Sequence, residues 1–188
     1  MEYLDIRTPD GVPTGKVKER EKVHEDGDIH GTSHVWIAGI DEAGKRRLLL
    51  QKRSADKDAF PGCYDISSAG HLPAGQDYLT SAIRELYEEL GIRAQEEDLI
   101  FLGIHRGYCE DVFYGKPFRN HEVSHVYLYD RPVDIRSLTL QESEVESVKW
   151  MPLDRCYEKA RAHDPKYCLF VEELDMIREY YQNRPDKD

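Results

Sequence analysis

The fold is decided by residues 70–92, which read GHLPAGQDYLTSAIRELYEELGI. The second half of this stretch is amphipathic, because apolar residues recur every three or four positions, as in a helix packed on one side. The apolar positions are Leu79, Ala82, Ile83, Leu86 and Leu90. Asp77 is a suitable helix N-cap, and Gly91 is a suitable stop. The stretch therefore predicts a glycine-bounded loop followed by a helix over 77–90.

Three glutamates lie along one edge of this predicted helix. Glu85, Glu88 and Glu89 are spaced three and four residues apart, so their side chains are neighbours beside the apolar seam. Like charges at that spacing repel by about 0.2–0.5 kcal/mol per pair. A hard divalent cation would convert this repulsion into ligation, since Mg²⁺ prefers carboxylate oxygens. A solvated acidic face is the alternative, and periodicity alone does not choose between them.

Strand-like segments surround the helix. They cover residues 3–6, 16–23, 34–40, 47–53, 64–69, 99–102, 123–129 and 145–151. The turn signal Thr8-Pro9-Asp10-Gly11 makes the first two a hairpin, and 24–30 reads as a loop. Two more helices are predicted over 153–162 and 170–181. This order of elements predicts an α+β fold, an α/β/α sandwich with a mixed β-sheet between helices.

The length of 188 residues fits one domain with short additions. We expect an N-terminal hairpin extension over 1–29. The main domain runs over 30–182 and includes the C-terminal helices. Residues 183–188 form a polar tail.

Composition limits the function. The chain has 26 Lys and Arg against 37 Asp and Glu, a net charge of -11, which argues against binding a nucleic-acid polymer. A small phosphorylated substrate remains compatible, because a divalent cation can stand between acidic protein and acidic ligand. There is no run of apolar residues long enough to span a membrane, and the first residues do not resemble a secretion signal. Four scattered cysteines indicate reduced thiols, so we expect a cytoplasmic protein.

Residues 70–92 resemble the Nudix box, Gly-x5-Glu-x7-Arg-Glu-(aliphatic)-x-Glu-Glu-x-Gly-(aliphatic). Every fixed position agrees except one, where Gln76 replaces the family's glutamate. The resemblance implies a mixed sheet between helices over about residues 30–160. It also implies metal-assisted hydrolysis of a diphosphate linked to a nucleoside, sugar or isoprenoid group.

The resemblance assigns roles to box residues. It implies that Glu88 and Glu89 ligate Mg²⁺ or Mn²⁺, and that Glu85 ligates metal or activates the attacking water. The carbonyl of Ala69 completes the metal shell, and Arg84 holds the carboxylates in place. Gln76 keeps hydrogen-bonding capacity for substrate but lacks the family's charge.

Other site residues lie outside the helix. Family members recruit an acid from a downstream loop, and among Glu142, Glu144 and Glu146 we favour Glu144. Lys52 and Arg53 end a predicted strand and are candidate phosphate contacts. The resemblance implies that substrate is selected by loops, here 55–63 and 103–121, and a homodimer is compatible with their aromatic residues.

The flanks resemble the branch of the family related to isopentenyl-diphosphate isomerase. The isomerases have a cysteine where this chain has Ala69, which favours a hydrolase. Two alternatives stay open: the isomerase itself, and a catalytically weak module that only binds or senses its ligand. We do not predict a separate metal site from His24, His30 and His71, although the isomerases bind metal through histidines.

Overall fold

The computed structural model describes residues 2–57 and 59–184. The ten strands are β1 (Tyr3–Arg7), β2 (Pro13–Glu19), β3 (Ile29–Ile40), β4 (Arg46–Arg53), β5 (Tyr64–Asp65), β6 (Ser68–His71), β7 (Leu99–Phe113), β8 (Lys116–Tyr129), β9 (Val145–Pro152) and β10 (Tyr167–Cys168). The four α-helices are α1 (Arg20–Asp26), α2 (Tyr78–Leu90), α3 (Leu153–Arg161) and α4 (Val171–Gln182), and two 3₁₀ turns cover Glu96–Asp98 and Ile135–Ser137. None of these described helices is long and apolar enough to cross a membrane. Part of the predicted polar tail, 185–188, lies outside the described residues.

A curled mixed sheet forms the centre of the molecule. Its main strand order is β10-β5-β4-β3-β8-β7, with β6 beside β3 and β9 beside β4. Strand β3 runs parallel to β8, and its other side pairs first with β6 and then with β4. This division of β3 opens the sheet between β6 and β4.

Helices cover both faces of the sheet. On one face, Ala82, Leu86 and Leu90 of α2 pack against Val35 and Ile37 of β3. On the opposite face, α3 and α4 pack against the alternate residues Trp36 and Ala38. Because β3 buries both sets of side chains here, its residues 35–38 are continuously apolar rather than alternating. The predicted α/β/α sandwich is therefore confirmed.

The central helix was predicted to within one residue. Asp77 accepts a hydrogen bond from the Thr80 backbone N–H at 2.9 Å, which caps the first turn. Gly91 has φ of 73° and ends the helix in a left-handed conformation that favours glycine. The N-cap at Asp77 and the stop at Gly91 could both be predicted, because each acts within one helical turn.

Three predictions about local structure were wrong. Residues 20–23 were expected to extend the second strand, and 24–30 to form a loop, but Arg20–Asp26 is the helix α1. Residues 103–121, expected to be a substrate loop, form most of the long hairpin β7–β8. The expected strand 64–69 is divided into β5 and β6, which pair with different neighbours. The predicted hairpin at the N-terminus does form, from β1 and β2.

Candidate active site

The acidic edge of α2 lies against strand β6. Glu89 is 3% exposed and accepts hydrogen bonds from the Ala69 backbone N–H and the Gln51 side chain, both at 3.2 Å. Glu85 is also largely buried, whereas the Glu88 carboxylate is about half exposed. The solvent exposure of the three acids therefore increases from Glu89 through Glu85 to Glu88.

Arg84 lies between two of these acids. One guanidinium nitrogen is 2.7 Å from Glu85 Oε1, and the other donates to Glu88 Oε2 at 2.8 Å. The guanidinium also donates to the His71 carbonyl at 3.3 Å. Arg84 thus joins the exposed acid, a buried acid and the end of β6.

The two buried acids are poorly compensated in charge. Burial, and then the charge of Glu89, raise the pKa of Glu85 to about 7, although Arg84 opposes this. Burial also raises the pKa of Glu89. Both carboxyl groups would hold their negative charge more readily with an additional cation nearby.

Gly70 makes the close approach of β6 and α2 feasible. A Cβ atom at this position would lie 2.0 Å from Glu85 Oε1, which no real contact permits. The absence of a side chain therefore leaves the space that the Glu85 carboxylate occupies.

The acids line a cleft of about 1010 Å³. Basic residues from other elements reach the same cleft: Arg20 of α1, Arg53 at the end of β4, and Lys57 in the following loop. Lys57 is ion-paired with Glu144, and burial lowers its pKa. A cleft lined by both acids and cations can hold a metal ion together with a phosphorylated ligand.

Two other residues predicted to contact substrate do not line this cleft. Lys52 forms an ion pair with Glu146 at 2.6 Å, and Gln76 is exposed and accepts from Ser81 Oγ at 3.3 Å. Arg53 does line the cleft, but its guanidinium donates to Asp65 and to the Ala59 carbonyl at 2.9–3.1 Å. Arg53 therefore anchors the 54–63 loop in this state of the protein.

A histidine cluster, formed by His24, His30 and His71, lies beside the acidic edge. Potential ligand atoms of the three rings all lie within 4.8 Å of one another. Each Nε2 atom is buried without a hydrogen-bond partner. Burial lowers all three pKa values, that of His24 to about 3, so the rings are neutral and their lone pairs are free to bind a metal.

A further acid borders this cluster. Glu122 of β8 faces the cleft, with Oε1 3.9 Å from His30 Nε2. Sequence reasoning missed Glu122, Lys57 and Arg20, and it did not favour the histidine cluster. No regular spacing of the histidines along the sequence indicated this cluster. The three residues come from α1, β3 and β6, and the pairing of β6 with β3 brings His71 near His30.

By donor chemistry the residues fit a divalent cation at the acidic edge, although among the described residues it is the histidine cluster whose ligand atoms all lie within 4.8 Å of one another. The donor set is carboxylate oxygen, and burial raises the pKa values of Glu85 and Glu89, so a cation beside them would favour their charged forms. Glu88, Glu89 and Glu85 would hold such an ion. The Ala69 N–H contacts Glu89; a role for its carbonyl stays a prediction.

Comparisons with known proteins identify the family of the chain. The model of the NUDIX domain matches residues 32–170. Nudix hydrolase 3 of Arabidopsis thaliana is 42% identical over 170 residues, which are 88% of this chain but 21% of that protein. An uncharacterised Nudix hydrolase of Clostridium acetobutylicum is 39% identical over 88% of this chain and 75% of its own length. The chain therefore spans about a fifth of the Arabidopsis relative.

Two further matches bear on branch and fold. An isopentenyl-diphosphate Delta-isomerase of Pectobacterium atrosepticum is 27% identical over 90% of this chain and 88% of its own length. The crystal structure of DR0079 from Deinococcus radiodurans superposes with a TM-score of 0.62 at 15% identity, over 95% of this chain and 99% of that one. The fold prediction and the family resemblance are both confirmed.

Proposed function

The chain belongs to the Nudix family, and from that premise we propose that it is a divalent-metal-dependent pyrophosphohydrolase. Its substrate is a small diphosphate linked to a nucleoside, sugar or isoprenoid group. The observation that carries the proposal is the acidic edge of α2, where Glu85, Glu88 and Glu89 meet Arg84 at one wall of a large cleft. The name of the Arabidopsis relative, a Nudix hydrolase, supports it.

The proposed metal is Mg²⁺ or Mn²⁺, held by Glu88, Glu89 and Glu85. When bound, it neutralises phosphate charge and lowers the pKa of water. Glu85 either completes this ligand set or accepts the proton of the attacking water, because its largely buried carboxylate lies beside the other two acids. Arg84 keeps the carboxylates of Glu85 and Glu88 in place.

We assign phosphate binding to the basic residues that line the cleft. Lys57 is the first candidate, because it lines the cleft and its ammonium group is ion-paired there with Glu144. When a phosphate enters, the Lys57 ammonium group leaves Glu144 and pairs with a phosphate oxygen instead. The Glu144 carboxylate is then free to act as the acid contributed by a downstream loop. Arg53 supports the 54–63 loop by donating a hydrogen bond to the Ala59 carbonyl.

We retain a cytoplasmic location as part of the proposal.

Phosphate release with Mg²⁺ from nucleoside, sugar and isoprenoid diphosphates tests the proposal. Glu88→Gln keeps the size of the side chain and removes its charge, so turnover should fall by at least about 100-fold. Glu97→Gln is the matched control, since Glu97 is an exposed acid outside the cleft. Turnover unaffected by Glu88→Gln would contradict the proposal. Tight binding of a diphosphate without turnover would instead support a binding module.

A second candidate, isomerisation of isopentenyl diphosphate to its allylic isomer, is favoured by the histidine cluster. Three neutral imidazoles suit Zn²⁺ or Mn²⁺ better than Mg²⁺, and Glu122 offers an acidic group beside them. Ala69 argues against it, because it stands where the isomerases have a cysteine, and a proton relay needs an acid and a base. Incubation with isopentenyl diphosphate in D₂O distinguishes the two. Deuterated dimethylallyl diphosphate would identify an isomerase, and released phosphate a hydrolase.

A further inference from the structure

Strand β7 forms an outer edge of the sheet. It pairs with β8 along 14 residue pairs, and its other side has no strand partner among the described residues. Within its residues 104–112 the exposed side chains include Tyr108 at 58% and Val112 at 64%, whereas His105 is buried at 6% exposure. A long open edge with exposed apolar side chains is a template for pairing with another strand.

The sequence of this edge is complementary to itself when reversed about Tyr108. Antiparallel pairing with a second copy, centred there, places Arg106 opposite Glu110 and Ile104 opposite Val112 on the exposed face. On the other face, His105 lies opposite Asp111 and Gly107 opposite Cys109. Each opposition occurs twice, once on either side of the axis.

This register differs from its neighbours. In an antiparallel pair, the side chains of residues that face each other point to the same side of the sheet. A two-fold axis perpendicular to the sheet must therefore lie between the two copies of one residue. Centring the axis on Gly107 would put Arg106 opposite Tyr108, and centring it on Cys109 would put it opposite Val112. Of these three registers, only the axis at Tyr108 pairs the basic residue with an acid.

The charged residues are accessible for such pairing. The side chains of Arg106 and Glu110 are 53% and 58% exposed. Arg106 donates through Nε to the Pro9 carbonyl at 2.9 Å and lies 4.0 Å from Asp10. Glu110 accepts a hydrogen bond from the Tyr108 hydroxyl and lies 3.6 Å from Arg119. A guanidinium has five N–H donors, so Arg106 retains donors for a second carboxylate.

We infer that β7 is a homodimer interface, in which two copies pair antiparallel across a two-fold axis at Tyr108. The partner is a second copy rather than an unrelated peptide, because the charge pattern matches its own reverse. Each copy carries a net charge of -11, which opposes association, so the local Arg106–Glu110 pairs must offset that repulsion. The interface would also brace the hairpin whose Phe113 and Phe118 line the cleft.

Charge exchange tests the pairing by sedimentation equilibrium of the full chain. The wild type should be a dimer, and Arg106→Glu or Glu110→Arg alone should weaken association about 10- to 30-fold, since two attractive pairs become repulsive. The double variant R106E/E110R should recover the wild-type affinity. A mixture of the two single variants should form a heterodimer, because each supplies the charge that the other lacks.

A disulfide trap tests the register in case a charge variant folds poorly. Tyr108→Cys in a Cys109→Ser background places two thiols across the axis, at the 4.5–5.5 Å Cα separation that facing residues have and that a disulfide accepts. It should give a covalent dimer with oxidised glutathione. Val112→Cys is the control, since its symmetry mate is eight residues away, about 27 Å. A monomeric wild type at about 100 μM, or equal cross-linking by both cysteine variants, would overturn the interface.

Discussion

The acidic edge of α2 lines the same cleft as His24 and His71 of the histidine cluster, but burial shifts the pKa values of the two regions in opposite directions. Burial raises the pKa values of Glu85 and Glu89 and lowers those of His24, His30 and His71. In both regions burial favours the neutral form, so the acids tend to gain a proton and the histidines to lose one. The acids suit a hard cation, whereas the imidazoles suit a borderline one. One cleft thus contains two ligand sets of different chemistry.

The largest expected effect separates the two regions by activity. Glu85→Gln should lower hydrolysis by about 10²–10⁴-fold, because the proton acceptor is lost while the hydrogen-bonding shape is retained. His30→Gln should change hydrolysis by less than about tenfold, since the cluster takes no part in the proposed reaction. Steady-state rates with Mg²⁺ provide the measurement. If the histidine variant loses more activity than the acid variant, the assignment of hydrolysis to α2 is wrong.

The pH dependence of stability sharpens the contrast on the acidic side. For Glu85 the folded-state pKa of about 7 lies above the usual value of 4.5. Its stabilising contribution is therefore complete below pH 4.5 and is lost as pH rises toward 7, by about 3 kcal/mol. Urea unfolding with a chelator should show this loss in the wild type and not in Glu85→Gln. Parallel curves for both proteins would show that Glu85 ionises normally.

The histidine cluster should show the reverse trend. The folded-state pKa of His24, about 3, lies below the usual 6.5, so its contribution is complete above pH 6.5. As pH falls from 6.5 to 4.5, the unfolding free energy should drop by about 2–3 kcal/mol through this group. The same urea titration on His24→Gln should show a smaller drop. Glu25→Gln, at the adjacent exposed position, is the control.

The smallest expected effect distinguishes Lys57, which lines the cleft, from Lys52, which does not. Lys57→Met should raise KM about tenfold, or ~1.4 kcal/mol, with a smaller change in kcat, because it removes a contact to phosphate. Lys52→Met is the matched control: it breaks a comparable ion pair, that with Glu146, outside the cleft. Equal KM values for the two variants would remove Lys57 from the phosphate site.

The sequence was sufficient for features encoded within a helical turn or one strand. Asp77, the apolar seam and Gly91 define α2 locally, and the box glutamates follow from their spacing on it. The buried β3 was recognisable because both of its faces are apolar. The layered fold could be predicted for the same reason: amphipathic helices must cover a sheet that is apolar on both sides.

Long-range pairing could not be read in this way. His24 lies in α1, a polar segment whose helical form depends on packing, and His71 reaches His30 only because β6 pairs with β3 opposite Thr32. Residues 103–121 contain three glycines that suggest a loop, yet pairing of β7 with β8 overrides that local preference. Lys57 gave no signal, because loop residues have no periodicity.

The most direct test of the acidic edge is a titration with Mn²⁺ alone, followed by electron paramagnetic resonance. The wild type and His30→Gln should both bind the ion at the carboxylates, whereas the double variant E88Q/E89Q should lose this binding by at least about 100-fold, since two anionic ligands become neutral. Unchanged Mn²⁺ affinity in E88Q/E89Q, with loss in His30→Gln, would contradict the account and place the metal at the histidines.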